Sequence, residues 1–180
     1  MHLRYLLCLS AALATTAFAA DAPTSFDVGG LSFQRPEAWE WVPVNSPMRK
    51  AQLRVPGTDG AQPADITFFH FGAGSGGDVK ANADRWLKQF KSAEGVAKTE
   101  PQEIGGTKVT IVTTEGTFSS GMPGGPTTPM EGQALLGAIV EGKEGNVFVK
   151  MTGPVAVVKG AEKQFMNFIS GAVTSRSSAP

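Results

Sequence analysis

The chain has 180 residues, with 16 basic and 16 acidic side chains and therefore a formal net charge of zero. A neutral balance argues against a nucleic-acid-binding protein, because such proteins present a basic surface to the phosphate backbone. It also gives no electrostatic reason to bind an anionic membrane surface.

The first 19 residues have the pattern of a secretory signal peptide. Arg4 supplies the positive charge, and residues 5–14 are apolar. The tripeptide Ala-Phe-Ala at 17–19 fits a signal-peptidase site. No later apolar run approaches the ~20 residues that a membrane helix needs. We therefore expect an exported bacterial protein, periplasmic or secreted, with no integral membrane segment after cleavage.

Removal of this segment leaves about 160 residues, enough for one domain with a substantial core. Cys8 and His2 leave with the signal peptide, so the predicted mature chain has no cysteine and keeps only His70 as a histidine. Disulfides, thiol catalysis and thiolate metal sites are then excluded, as is a multi-histidine zinc or copper site within one chain. No motif indicates a cofactor, and none is expected.

The first part of the mature chain is predicted to form short strands joined by turns. Residues 20–27 are expected to be a loose polar lead-in, followed by a single domain over residues 28–173. Strands are predicted over 28–33, 39–44 and 51–55, because proline- and glycine-rich turns separate these apolar runs.

Residues 66–71, Ile-Thr-Phe-Phe-His-Phe, are the most strongly apolar strand pattern in the sequence. Side chains alternate between the two faces of a strand, and here both alternating sets are largely apolar. This pattern predicts a central strand with both faces covered. The two sets are Ile66, Phe68 and His70 on one face, and Thr67, Phe69 and Phe71 on the other.

A glycine-rich segment, residues 72–77, connects this strand to a predicted amphipathic helix. Asp78 stands where a helix N-cap belongs, because its carboxylate can accept backbone N–H bonds. Apolar side chains then recur at helical spacing, which predicts that the helix packs on the sheet with Trp86 as its largest buried group. These apolar residues are Val79, Ala83, Trp86, Leu87 and Phe90.

The second half of the domain is predicted to be mainly β. Residues 108–114 are a β-branched strand, and 133–140 and 146–151 pair as a hairpin. Between the first and second of these strands, residues 119–131 are predicted to be a long glycine- and proline-rich loop. A final helix is predicted over about 155–171.

These elements predict an α+β fold with six to eight strands and two helices. We expect a three-layer α/β/α sandwich with a central, mostly antiparallel sheet. The alternative is a two-layer sandwich in which loops close the open face. Residues 174–180 are expected to be a disordered tail.

Four groups of core and turn residues follow one another along the chain: Gly30-Leu31-Ser32-Phe33 with Pro36 and Trp39, the Phe71-Gly72 strand end, Trp86 with Phe90, and Thr152-Gly153-Pro154 before Phe165 and Phe168. Their order resembles the fold shared by the PsbP extrinsic proteins of photosystem II and the Mog1 Ran-binding proteins. The run from Phe71 to Phe90 is also similar to that of small exported bacterial proteins of unassigned function. The resemblance implies a central antiparallel sheet between helices, and it carries over no functional residue, because this scaffold serves different roles.

Residues 72–77 match the dinucleotide-binding pattern G-x-G-x-x-G, and two interpretations are open. The segment is either a backbone cradle for a pyrophosphate or a flexible turn into the helix. The turn is favoured, because no repeated βαβ pattern follows and Asp78 would repel a phosphate. His70 is either a general base or a histidine at the edge of the core, and the second is favoured because it shares a strand face with Ile66 and Phe68.

Six residues are the candidate contacts for a ligand or partner. They lie on the glycine-rich segment, on the adjoining helix and in the long loop. The loop methionines could bind Cu(I) through their thioethers, or simply plug the open end of the sandwich. The six are Gly74, Ser75, Asn82, Arg85, Met122 and Met130.

The sequence supports two main hypotheses of function. The first is a non-catalytic binding or accessory module of the cell envelope, whose partner is an unidentified protein or small molecule. The alternative is a small periplasmic hydrolase that uses His70 or the loop carboxylates Glu115 and Glu131 as acid–base groups. A structural component of an envelope complex is a third option.

Overall fold

The computed structural model describes residues 22–120 and 128–177 of the chain. Within these ranges the structure has ten strands and two helices, and every strand pairing is antiparallel. In chain order the elements are β1 Ser25–Val28, β2 Leu31–Gln34, β3 Glu40–Trp41, β4 Arg49–Val55, β5 Ala64–His70, α1 Val79–Leu87, β6 Phe90–Lys91, β7 Lys98–Ile104, β8 Thr107–Ser120, β9 Thr128–Val140, β10 Val147–Pro154 and α2 Val155–Ser177.

One sheet of eight strands forms the middle layer of the domain. Its order is β3-β4-β5-β10-β9-β8-β6, and β7 pairs with another part of the same edge of β8. β1 and β2 form a separate hairpin. β5 and β10 therefore lie near the middle of the sheet, as the apolar pattern of β5 predicts.

The larger core lies between the sheet, the β1–β2 hairpin and α2. Phe168 of α2 is at its centre, with ring centroids 5.1 Å from Phe33, 5.3 Å from Trp39 and 6.0 Å from Phe68. Each buried aromatic side chain contributes about 1.5–3 kcal/mol to folding. This aromatic cluster therefore holds the hairpin, the sheet and α2 together.

A smaller core lies on the opposite face of the sheet, under α1. Trp86 is its central side chain, and it packs directly over Gly137 of β9. A Cβ atom at position 137 would lie 2.5 Å from the Trp86 ring, so only glycine leaves room for the indole. Because α1 and α2 pack on opposite faces of the sheet, the predicted three-layer α/β/α arrangement is confirmed.

The two helices differ in how much of the sheet they cover. α2 has 23 residues and is about 35 Å long, whereas α1 has 9 residues and is about 13 Å long. Six inter-strand spacings of the sheet span about 29 Å. α1 is therefore too short to cover its face, and it packs over the β8–β10 side.

The short helix leaves one face of β5 partly uncovered, and this corrects the prediction for that strand. Ile66 and Phe68 are fully buried against the larger core, as expected. On the other face, Thr67 and Phe69 are only half-buried, and Phe71 is 38% exposed. The prediction that both faces of this strand are covered is wrong for the second face, because apolar composition does not reveal the length of the helix above it.

Helix α1 begins as predicted and ends early. The Oδ1 atom of Asp78 accepts a hydrogen bond from the Ala81 backbone N–H at 2.8 Å, so Asp78 is the N-cap. The helix ends at Leu87, and Phe90 lies in β6, opposite Phe118 of β8. Phe90 therefore reaches the small core from a strand, although it falls on the apolar stripe of the predicted helix.

Other elements are longer than the sequence predicts. Residues 25–27 of the expected lead-in join Val28 to form β1, because Phe26 stacks on Phe33 at 5.5 Å. β8 and β9 extend into the predicted loop 119–131, and α2 extends into the predicted tail as far as Ser177.

Met122 and the predicted signal peptide lie outside the described residues. Among the residues that are described, no helix is long and apolar enough to cross a membrane.

The packing of Trp86 on Gly137 makes a prediction about stability. Gly137→Ala should lower the free energy of unfolding by about 1–3 kcal/mol, because the added methyl displaces a buried indole. The measurement is urea unfolding followed by circular dichroism.

Gly171→Ala is the matched control. Gly171 lies in α2, and a Cβ there would meet no atom within 4 Å. This substitution should stabilise the protein by about 0.5–1 kcal/mol, because alanine is the better helix former. Equal unfolding curves for the two variants would contradict the packing of Trp86 on Gly137.

Candidate functional site

An open cleft of about 950 Å³ lies on the sheet face that α1 leaves uncovered. Its floor comes from β4, β5 and β10, whose side chains on this face point away from the larger core. The register places Gln52, Thr67 and Lys150 in one row across the three strands. Phe69 and Phe148 form the neighbouring row. The floor is therefore half polar and half aromatic.

Lys150 is the most unusual side chain of this floor. It is half-buried, its Nζ donates a hydrogen bond to Oε1 of Gln89, and it lies 5.5 Å from the centre of the Phe118 ring. In the described part of the chain it forms no ion pair with an acidic residue. Burial, and secondarily the charge of Arg85, lower the pKa of Lys150 to about 8. The cleft thus holds a cation that the fold does not neutralise.

Arg85 is a second cation on the wall of the cleft. Its guanidinium donates to Oδ1 of Asn82, which is itself buried. The Asn82 amide donates in turn to the backbone oxygens of Gly76, at 2.7 Å, and of Asp78, at 2.9 Å. Asn82 therefore links the glycine-rich segment to Arg85 and fixes the position of the guanidinium.

The acidic residues near the cleft do not balance these charges. Asp65 is the one acid among the described lining residues, and its Oδ1 accepts from Nε of Arg54 at 3.0 Å. A further cation, Arg49, donates to the amide oxygen of Gln52 at 2.7 Å. The cleft therefore carries an excess of positive charge.

The remaining walls are apolar. Trp86, Phe118 and Phe148 are buried in the small core and present one edge to the cleft. At the rim, Phe71 is 38% exposed and Met48 is 59% exposed. An apolar cleft with unneutralised cations has the composition of a binding site for an anion that carries an apolar body.

The structure separates the six predicted contact residues. Ser75 and Arg85 line the cleft, and Asn82 positions Arg85 from below. Gly74 lines a smaller hollow of about 270 Å³ beside the β9–β10 turn. Met130 is exposed on β9 opposite Phe118, next to the cleft but outside its lining residues, and Met122 is not among the described residues.

His70 lies on the other face of β5 from the cleft. Its Nε2 donates to the Glu144 backbone oxygen at 3.0 Å, and its ring packs on Gly29, where a Cβ would lie only 2.6 Å away. The interpretation as a histidine at the edge of the core therefore agrees with the structure. An active site built on His70 would have to lie apart from the cleft.

Sequence reasoning missed Lys150, Gln89 and the role of Trp86 as a cleft wall. One signal for Lys150 was available. Residues 147–151, Val-Phe-Val-Lys-Met, place a lone lysine inside an apolar strand, and such a lysine is desolvated unless its face is open. Gln89 had no comparable signal, because its contact with Lys150 joins residues 61 apart in the chain.

The lowered pKa of Lys150 predicts a pH-dependent stability. The folded state releases this proton near pH 8 and the unfolded chain near pH 10.5, so the lysine costs stability below pH 8 and the cost disappears as pH rises to about 10.5. Lys150→Met should therefore raise the free energy of unfolding at pH 7 by about 1–3 kcal/mol. Urea unfolding from pH 7 to 10.5 should show this gain shrinking toward zero.

Lys88→Met provides the control, since Lys88 is an exposed residue of the same region that does not line the cleft. Its effect should stay below about 0.5 kcal/mol at every pH. A constant difference between Lys150→Met and the unmodified protein across this range would contradict the desolvation of Lys150.

Comparisons with known proteins address the fold. No family model matches the chain, and no curated protein matches it. The solution structure of cyanobacterial PsbP (CyanoP) from Synechocystis sp. PCC 6803 is similar, with a TM-score of 0.53 and 12% identity over 87% of this chain and 96% of that one. A protein of unknown function from Pseudomonas aeruginosa, PA94, has a TM-score of 0.43 and 14% identity over 82% of this chain and 93% of that one, which is too low to carry an argument. The chain is thus an α+β protein with a PsbP-like fold.

Proposed function

We propose that this protein is an exported, non-catalytic binding module whose cleft holds a small organic anion with an apolar body. One observation carries the proposal. Lys150 and Arg85 both line the aromatic cleft, and within the described residues neither has an acidic partner. Export rests on the signal-peptide pattern of residues 1–19.

The energetics favour an anionic ligand. Taking a cation out of water is costly unless an opposite charge compensates it, and Lys150 is half-buried without one. A bound carboxylate or sulfonate would supply that charge. Hydrogen bonds to charged groups contribute about 1.5–3 kcal/mol each. This contribution is larger than that of a hydrogen bond between neutral groups.

The size and the walls of the cleft limit the ligand further. Its volume of about 950 Å³ lies in the range of small-molecule sites. Phe69 is half-buried, and Phe71 and Met48 at the rim are exposed, so an aromatic or branched aliphatic body would bury apolar area there. A free inorganic anion would leave this surface unused.

The alternative hypothesis, a small hydrolase, has less support. His70 lies on the opposite sheet face and its Nε2 is engaged by a backbone oxygen. Of the carboxylates at the margins of the predicted loop, Glu115 pairs with Lys159 at 2.6 Å, and Glu131 is exposed. These groups do not converge with the cleft.

Fluorescence titration with 8-anilino-1-naphthalenesulfonate tests the proposal. This probe combines a sulfonate with aromatic rings and should bind the folded protein in the cleft. Lys150→Met and Arg85→Gln should each weaken binding about 10- to 100-fold, because each removes one charge-assisted contact. Lys88→Met should leave the affinity unchanged.

A neutral analogue, N-phenyl-1-naphthylamine, separates charge recognition from nonspecific apolar binding. Its affinity should be the same in the unmodified protein and in both cleft variants. Equal affinity of the sulfonate for the unmodified protein, Lys150→Met and Arg85→Gln would overturn the proposal.

A further inference from the structure

We propose that Lys150 is a reactive amine, and that the cleft takes 2-oxo acids with an apolar side chain, which condense with its Nζ atom to form a reversible imine. This inference rests on the proposed function, because the same cleft must first bind the anion. Compared with the proposed function, it specifies that the ligand carries a carbonyl group and that binding includes a covalent step.

The surroundings of Lys150 favour a nucleophilic amine. Surface lysines usually remain in water or pair with an acid, and both keep them protonated. Lys150 instead lies in the cleft between the Gln89 amide oxygen and the Phe118 ring. A lysine in an apolar pocket next to another cation is a known arrangement for imine-forming lysines, because the neutral form becomes accessible.

The charges around Lys150 act in the same direction. The cations that line the cleft are Arg85 of α1 and Arg49 of β4, and the one described lining acid, Asp65 of β5, is paired with Arg54. Burial and Arg85 lower the pKa of Lys150 to about 8. Relative to an ordinary lysine, this raises the fraction of neutral amine at neutral pH by about two orders of magnitude.

Arg85 suits the carboxylate of such a ligand. In a 2-oxo acid the carboxylate is bonded directly to the carbonyl carbon, so one ligand presents an anion and an electrophile together. Arg85 and Lys150 line the same cleft, and Asn82 holds the guanidinium in place. Arginine binds a carboxylate through two parallel hydrogen bonds, which would orient the carbonyl.

The chemical step is balanced without a redox partner. The neutral Nζ attacks the carbonyl carbon, a C–N bond forms, and the carbonyl oxygen becomes the hydroxyl of a carbinolamine. That oxygen then leaves as water with the two protons of the original amine, and a C=N bond remains. Hydrolysis reverses the reaction, so the ligand is released unchanged.

Reductive trapping with phenylpyruvate and sodium cyanoborohydride at pH 7.5 tests this inference. Intact mass and peptide mapping should show one adduct, at Lys150, that forms at least about ten-fold faster than at any other lysine. The excess of labelling at Lys150 over the other lysines should shrink as pH rises from about 8 to 10.5, because the other lysines lose their protons only in that range. Lys150→Met should lose the adduct and Lys88→Met should keep it.

One variant and one smaller ligand test which parts of the cleft bind the 2-oxo acid. Arg85→Gln should raise the phenylpyruvate concentration needed for half-maximal labelling about ten-fold or more. Pyruvate, which lacks the aromatic body, should label Lys150 more slowly than phenylpyruvate at equal concentration. A purely structural Lys150 would show neither dependence.

Phenyllactate, in which a hydroxyl replaces the carbonyl, separates this inference from the proposed function. It should displace 8-anilino-1-naphthalenesulfonate and should not be trapped. If phenyllactate binds while phenylpyruvate labels all lysines evenly, imine formation is overturned and anion binding stands. If neither phenyllactate nor the sulfonate binds, both proposals are overturned.

Discussion

The unequal covering of the two sheet faces is the constraint on which the rest of the structure depends. One face carries α2 and the β1–β2 hairpin, and among the elements that the structure describes the other face carries only the short helix α1. Trp86 fixes the position of that helix, because its indole occupies the space that Gly137 leaves on β9. The part of the sheet beyond α1 then becomes the floor of the cleft. The same packing that closes the small core therefore opens the candidate site.

The polar side chains of the cleft follow from this geometry. Gln52, Thr67 and Lys150 alternate with buried residues of the larger core along their strands. They are tolerated mid-sheet because their face is only partly covered, and a polar group in a fully dry layer would need a partner. Lys150 lies at the border between the small core and the open part of the cleft. Its amine is therefore partly desolvated and still lines the cleft.

The residues that build the fold differ from those that give the cleft its charge. The PsbP-like fold supplies the sheet and the two helices, and proteins with such folds differ in function. The candidate site instead depends on a few side chains: two cations, the asparagine that positions one of them, and aromatic walls. The chemistry of the cleft therefore depends on these side chains and does not follow from the fold.

The sequence by itself determined the local structure and the class of fold. The apolar run of β5, the Asp78 cap and the helical stripe that includes Trp86 each depend on neighbours within a few residues, so periodicity and capping chemistry reveal them. The same patterns predict an α+β sandwich and a flexible turn at residues 72–77. They also mark Arg85 and Asn82 as polar residues beside that turn.

Only the tertiary structure decided where the charges meet. Lys150 and Gln89 are 61 residues apart, and Asp65 finds its partner Arg54 on the neighbouring strand. No local pattern encodes such pairs, because they depend on sheet order and register. The open face of β5 was hidden for a similar reason: the residues 67, 69 and 71 do not record that α1 ends at Leu87 and packs over other strands. Local chemistry thus specified the elements, and the packing of a short helix on a wide sheet made the cleft.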